Sequence, residues 1–116
     1  MMTNDQVDEA FQALHDAQAQ AHLLFMDLRD AGDAAGAASA KLRADRLQNE
    51  IDNLISKELG SWQAGAEGLI SQLTGLASDA QRAVQTVEND VKIAQSVVNA
   101  MQVLDKVIAM AMKFIG

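Results

Sequence analysis

The fold is decided by residues 69–115, which read LISQLTGLASDAQRAVQTVENDVKIAQSVVNAMQVLDKVIAMAMKFI. Apolar side chains recur here mainly every three or four residues, and the chain contains no proline to interrupt them. This spacing places side chains on one face of an α-helix, so the pattern predicts a long C-terminal helix with one buried side. The apolar positions are Leu69, Leu73, Leu76, Ala80, Val84, Val87, Val91, Ala94, Val98, Met101, Ile108, Met112 and Ile115.

Two shorter helices are predicted before this stretch, over residues 4–30 and 38–59. Gly32 and Gly36 separate them, because two glycines so close together weaken a helix. The glycine-rich residues 60–68 separate the second helix from the third. The apolar positions are Val7, Phe11, Leu14, Ala21, Phe25 and Leu28 in the first helix, and Ala40, Ala44, Leu47, Ile51 and Leu54 in the second.

The sequence therefore predicts one all-α domain over residues 1–116, a bundle of three main helices dominated by the C-terminal helix. That helix spans 66–115 in this prediction, and a break at Gly75 is the candidate interruption. Ser78 and Gln81 after it fit a capping box, which marks helix N-termini. A long two-helix hairpin is the alternative architecture.

The charge of the chain is acidic and unevenly distributed. The formal net charge is −7, and residues 1–38 carry seven carboxylates against a single basic residue, Arg29. Nucleic-acid binding and electrostatic docking on anionic lipid both require a basic face. The sequence therefore predicts no nucleic-acid partner.

No arrangement of residues predicts an enzyme, a cofactor site or a metal site. The chain has no cysteine. His15 and His22 share a helix face, but they lie about 10 Å apart along its axis, too far for one ion. No serine stands in a nucleophile-elbow motif, and the glycines do not form a phosphate-binding loop.

The C-terminal helix has two apolar flanks beside a thin polar strip. Val98, Met101, Ile108 and Met112 continue the long seam and are predicted to be structural. The second flank is the candidate surface for a protein partner, for a homo-oligomer or, as a less favoured alternative, for a membrane. This surface consists of Val103, Val107, Met110 and Phe114. The competing interpretation is a central helix packed on both other helices.

Trp62 stands alone near the midpoint, between the two helical halves. Residues 61–66, SWQAGA, and the long amphipathic second half resemble the WXG100 group of small, leaderless, secreted helical-hairpin proteins. This chain has Trp62-x-x-Gly65 where the family has Trp-x-Gly, and it lacks tyrosine and hence the family's C-terminal export signal. The resemblance implies a non-enzymatic, dimer-forming or toxin-accompanying role. From its position alone, Trp62 is a candidate recognition residue at a hairpin tip, or a hydrophobic plug that closes the end of the bundle.

The leading functional hypothesis is a non-enzymatic helical interaction protein, such as an adaptor, a chaperone or a small exported partner. The first alternative is a membrane-active or pore-forming effector that uses the C-terminal helix. The second is an acidic immunity or inhibitor protein that masks a basic partner. The N-terminus lacks a basic region followed by an apolar run, which predicts a cytoplasmic protein or one exported without a cleaved signal peptide.

Overall fold

A computed structural model describes residues 4–56 and 66–114 of the chain. Within these ranges there are four α-helices and no strand. The all-α class is confirmed, but the number of main helices is four rather than three. A 3₁₀ helix, Ala66–Leu69, leads into the third of them. The helices are α1 (Asn4–Asp30), α2 (Ala34–Ser56), α3 (Ile70–Asn89) and α4 (Ala94–Met112).

A tight turn joins α1 to α2 and is built from two capping motifs in succession. Gly32 has a positive φ of 84°, and its N–H donates to the Arg29 carbonyl at 3.0 Å. The Asp33 N–H donates to the Leu28 carbonyl at 2.9 Å, which completes a Schellman motif. The Asp33 carboxylate then accepts from the Gly36 N–H at 2.9 Å, as an N-cap does. Because Asp33 starts a helix at once, α2 begins before residue 38, the predicted start.

The break in the C-terminal half lies between α3 and α4, and the predicted break at Gly75 is wrong. Gly75 is inside α3, as is Ser78. The chain instead leaves the helix at Asp90, whose φ and ψ are −153° and 93°. The Asp90 carboxylate accepts from the Lys92 N–H at 3.1 Å. Asn and Asp side chains compete with the helix for backbone hydrogen bonds, and Asn89 and Asp90 are the local signal for this turn.

The four helices pack as two antiparallel hairpins laid side by side. Helix α1 packs on α2 and α3, and α4 packs on α3 and α2, so each helix has two main neighbours. The pairs α1/α3 and α2/α4 run parallel, because Asp27 lies beside Glu88 and Arg43 bonds to Asp105. Both tight turns therefore lie at one end of the bundle, which we call the turn end.

One hydrophobic core runs between the helices. The apolar positions predicted for α2 are all buried. Among the described residues no polar or charged residue is buried as a whole. The largest fully buried side chains are Leu14, Leu24 and Leu28 of α1, Leu47, Ile51 and Leu54 of α2, Leu73, Val84 and Val87 of α3, and Leu104, Val107 and Phe114 in and after α4.

Two glycine substitutions are expected to change stability in opposite directions. Gly32→Ala forces a side chain into the left-handed region and should destabilise the protein by about 1–2 kcal/mol. Gly75→Ala meets open space inside a helix and should stabilise it by about 0.5–1 kcal/mol. Chemical denaturation of the two variants measures both changes. A destabilising Gly75→Ala would contradict the continuity of α3.

Candidate interaction surfaces

The structure places the second apolar flank of α4 mainly in the core. Val107 and Phe114 are fully buried and Met110 is nearly so, while Val103 is half-buried. These side chains therefore contribute to packing within one folded chain. A binding role for them stays a prediction, and it would require α4 to move away from its neighbours. Trp62, the fifth predicted binding residue, lies outside the described residues.

Two residues predicted to be structural are instead exposed. Val98 is 45% exposed and Met112 is 56% exposed, whereas Met101 and Ile108 are buried as expected. The reason is the position of α4, which packs on both α2 and α3. Its buried arc is centred between the two flanks, so the outer edge of the first flank points to solvent.

An ion pair between Arg43 and Asp105 fixes the register between α2 and α4. The Arg43 guanidinium donates to both carboxylate oxygens of Asp105, with N–O distances of 2.9 and 3.0 Å. Arg43 also donates to the Ser39 hydroxyl at 2.5 Å. Two parallel bonds give an Arg–carboxylate pair a defined geometry. Asp105, which interrupts the first flank in the sequence, is thus a structural contact to α2.

A groove of about 470 Å³ lies between α1 and α3. Alanines and polar side chains line it, and no large apolar side chain fills the space between the two helices. Among the described lining residues two are acidic, Glu9 and Asp16, and none is basic. The full lining is Glu9, Gln12, Ala13, Asp16, Ala19, Gln20, Thr74, Ala77, Ser78 and Gln81.

The acidic side chains of α1 form a strip along this groove, which we call the acidic strip. It consists of Asp5, Glu9, Asp16 and Asp27, spaced so that they fall within about 40° around the helix. Glu9 and Asp16 line the groove itself, and Asp27 faces Glu88 of α3 further along. Asp16 accepts a hydrogen bond from the Gln12 amide at 2.8 Å.

The acidic strip has little basic compensation from its own helix pair. Arg29 of α1 lies over the Phe25 ring at 5.4 Å and contacts Asp30, away from the groove. The basic residue of α3, Arg82, pairs with Asp79 of the same helix. Neither of these two arginines therefore pairs with Glu9 or Asp16 of the groove.

At the turn end the strip reaches a smaller pocket of about 280 Å³. Asp27, Asp30 and Ala31 line it from the first hairpin, and Glu88 and Val91 line it from the second. Burial raises the pKa of Asp27 above its ordinary value, and the nearby carboxyl groups of Glu88 and Asp30 raise that pKa further. The Oδ2 atom of Asp27 is shielded from solvent without a hydrogen-bond partner in the described structure.

The two histidines lie on the other side of α1. His15 and His22 line a pocket of about 340 Å³ with Asp45 of α2. The His22 ring lies 5.9 Å from the Phe25 ring. No group of three or more His, Cys, Asp or Glu side chains that could hold a metal ion occurs in the parts of the chain that the structure describes.

No helix within 4–56 or 66–114 is both long and apolar enough to cross a membrane. Comparisons with protein-family models, with curated proteins and with solved structures find no match to this chain.

Sequence reasoning missed the groove and the contact between Asp27 and Glu88. The spacing of the acidic strip is visible in the sequence, since steps of four, seven and eleven residues return to one helix face. The α3 residues that line the groove and lie near Asp27 cannot be recognised from sequence spacing, because the α1 residues beside them are distant in sequence.

Proposed function

We propose that this protein is a non-enzymatic helical interaction protein whose α1–α3 groove binds a basic segment of a partner protein. The observation that supports this proposal is the acidic strip, which borders a groove lined by alanine and polar side chains and, among the described residues, by no basic one. A Lys- or Arg-bearing segment would bring the charge that the groove lacks. Complementary charge also raises association rates and suppresses wrong partners.

This proposal joins the leading sequence hypothesis to the hypothesis of an acidic protein that masks a basic partner. It assigns binding to the surface of the folded bundle rather than to the second flank of α4. Whether the role is that of an adaptor, a chaperone, an immunity protein or a small exported partner depends on the partner. The WXG100 resemblance, the homo-oligomer and the predicted localisation remain predictions.

The experiment compares two double variants with the same change of charge. Glu9→Gln with Asp16→Asn neutralises the groove, and Asp45→Asn with Asp52→Asn neutralises exposed carboxylates on α2. A partner captured from the native cell with the wild-type chain is purified, and its affinity is measured for both variants. We expect the groove variant to bind at least about tenfold more weakly and the α2 variant to bind like wild type.

Salt dependence provides a second readout on the same complex. Binding should weaken as ionic strength rises, because exposed charges are screened beyond a Debye length of about 10 Å at 0.1 M. Equal affinity of the two double variants would contradict the proposal. Dye release from vesicles by the folded chain would contradict it as well, and would favour the membrane-active alternative.

A further inference from the structure

Carboxyl groups collect at the turn end beside the C-terminal ends of α1 and α3, while the N-terminal ends of α2 and α4 also lie at this end of the bundle. Helices α1 and α3 run parallel and both end here, so both present the negative end of the helix dipole. Asp27 and Asp30 of α1 and Glu88 of α3 line the same pocket, and the carboxyl group of Glu88 lies near enough to raise the pKa of Asp27. Three carboxyl groups and two helix C-termini thus occupy one small pocket.

Asp27 and Glu88 can bond to each other only through a proton. Ionised carboxylates are acceptors alone, and a protonated carboxyl group gains a single O–H donor. No donor reaches Oδ2 of Asp27 in the described structure. A proton on either carboxyl group would remove the repulsion between two negative charges. It would also supply the hydrogen-bond donor that Oδ2 of Asp27 lacks.

The other charged groups near the turn end are engaged elsewhere or lie outside the pocket. Arg29 contacts Asp30 and the Phe25 ring. On α2, Asp33 caps its own helix and Lys41 is exposed, and neither lines the pocket. In the α3–α4 turn, Asp90 accepts from the backbone of Lys92, and the Lys92 side chain does not line the pocket either.

We propose that the turn end is a proton-linked clamp, in which one proton shared by Asp27 and Glu88 joins α1 to α3 and its loss at higher pH loosens both turns. The clamp makes the rigidity of this end of the bundle depend on pH. It is independent of the groove's proposed partner, because it acts within one chain.

The direction of the pH dependence follows from the change in pKa on folding. The pKa of Asp27 is raised in the folded chain, so folding takes up a proton between the unfolded-state pKa and the folded-state pKa. The stabilising contribution of the clamp is complete below the unfolded-state pKa. It is lost as pH rises through the folded-state pKa, so the clamp is closed at lower pH and opens at higher pH.

The first test measures thermal unfolding of the full chain from about pH 4 to pH 8. Asp27→Asn removes the charge and keeps a donor, so it should raise Tm by about 2–5 °C at neutral pH. The gap to wild type should narrow as pH falls through the raised pKa of Asp27, where the wild type gains its proton. Asp52→Asn, at an exposed carboxylate of α2, is the matched control and should show no such pH-dependent gap.

The second test follows the Asp27 carboxyl carbon by NMR during a pH titration. We expect its midpoint to lie above the ordinary range for aspartate, and Glu88→Gln should lower that midpoint by removing the neighbouring charge. Hydrogen exchange at neutral pH adds a local readout. The Asp33 and Ile93 amides, which bond to carbonyls in the two turns, should exchange more slowly in Asp27→Asn.

Three results would overturn the clamp. One is a Tm gap between Asp27→Asn and wild type that is constant with pH or negative at neutral pH. Another is the same pH-dependent gap in Asp52→Asn, which would make the effect one of net charge. The third is an Asp27 midpoint that does not change in Glu88→Gln.

Discussion

Val107→Asp is expected to unfold the protein about as severely as Ile108→Asp. Val107 is fully buried and Ile108 is 3% exposed, on opposite sides of the inner face of α4. An unpaired carboxylate at either position loses its hydration without gaining a partner, which costs at least about 4 kcal/mol. Small domains have a total stability of about 5–15 kcal/mol, so a cost of this size removes much of the folded population. Circular dichroism with a urea titration measures it.

Val98→Asp is the control for this prediction. Val98 is also an apolar residue of α4, and it belongs to the flank that the sequence predicts to be structural, yet it is 45% exposed. Its replacement should leave helicity intact and change stability by less than about 1 kcal/mol. If Val107→Asp folds normally while Val98→Asp unfolds, α4 is rotated relative to this structure and its second flank is a surface.

Phe114→Ala is expected to lower the free energy of unfolding by about 3–5 kcal/mol. Phe114 lies two residues after the end of α4, is 0% exposed and is the largest of the fully buried side chains. Truncation removes its apolar contacts and leaves a cavity that the surrounding helices can fill only in part. Urea denaturation of the purified variant measures the loss through the transition midpoint at an unchanged slope.

Met112→Ala provides the comparison, two residues earlier in the chain. Met112 is 56% exposed, so its truncation should cost less than about 1 kcal/mol. If Phe114→Ala lowers the free energy of unfolding only slightly but abolishes partner binding, the result would support the sequence hypothesis that Phe114 is a binding residue. A large loss of stability in Phe114→Ala alone supports its role in the core.

The regularly spaced apolar residues made the helical class and most of the core predictable. The α2 residues Ala40, Ala44, Leu47, Ile51 and Leu54 were predicted as one face and are all buried. A helix must bury its apolar face, and the spacing identifies that face without knowledge of the neighbours. The position of the first turn was predictable from its glycines for the same local reason.

The second turn was harder to predict because the apolar spacing runs through it. Val87 and Ala94 keep the helical spacing but lie in different helices, and Val87 is buried in α3 whereas Ala94 is exposed in α4. The seam therefore continues in sequence although the chain reverses direction in space. Only Asn89 and Asp90 mark the turn, and two polar residues occur in many unbroken helices.

The sequence by itself determined that the chain is helical, where its helices carry apolar and acidic faces, and that α1 holds most of the net negative charge. The tertiary structure alone decided which neighbour covers each face. In the tertiary structure Val107 is buried and Met112 is exposed. Arg43 bonds to Asp105, which lies 62 residues later in the sequence. The physical reason is that helical periodicity fixes the angle of a side chain around its own axis. The pairing of Asp27 with Glu88 depends on how separate axes pack, and no local spacing contains that information.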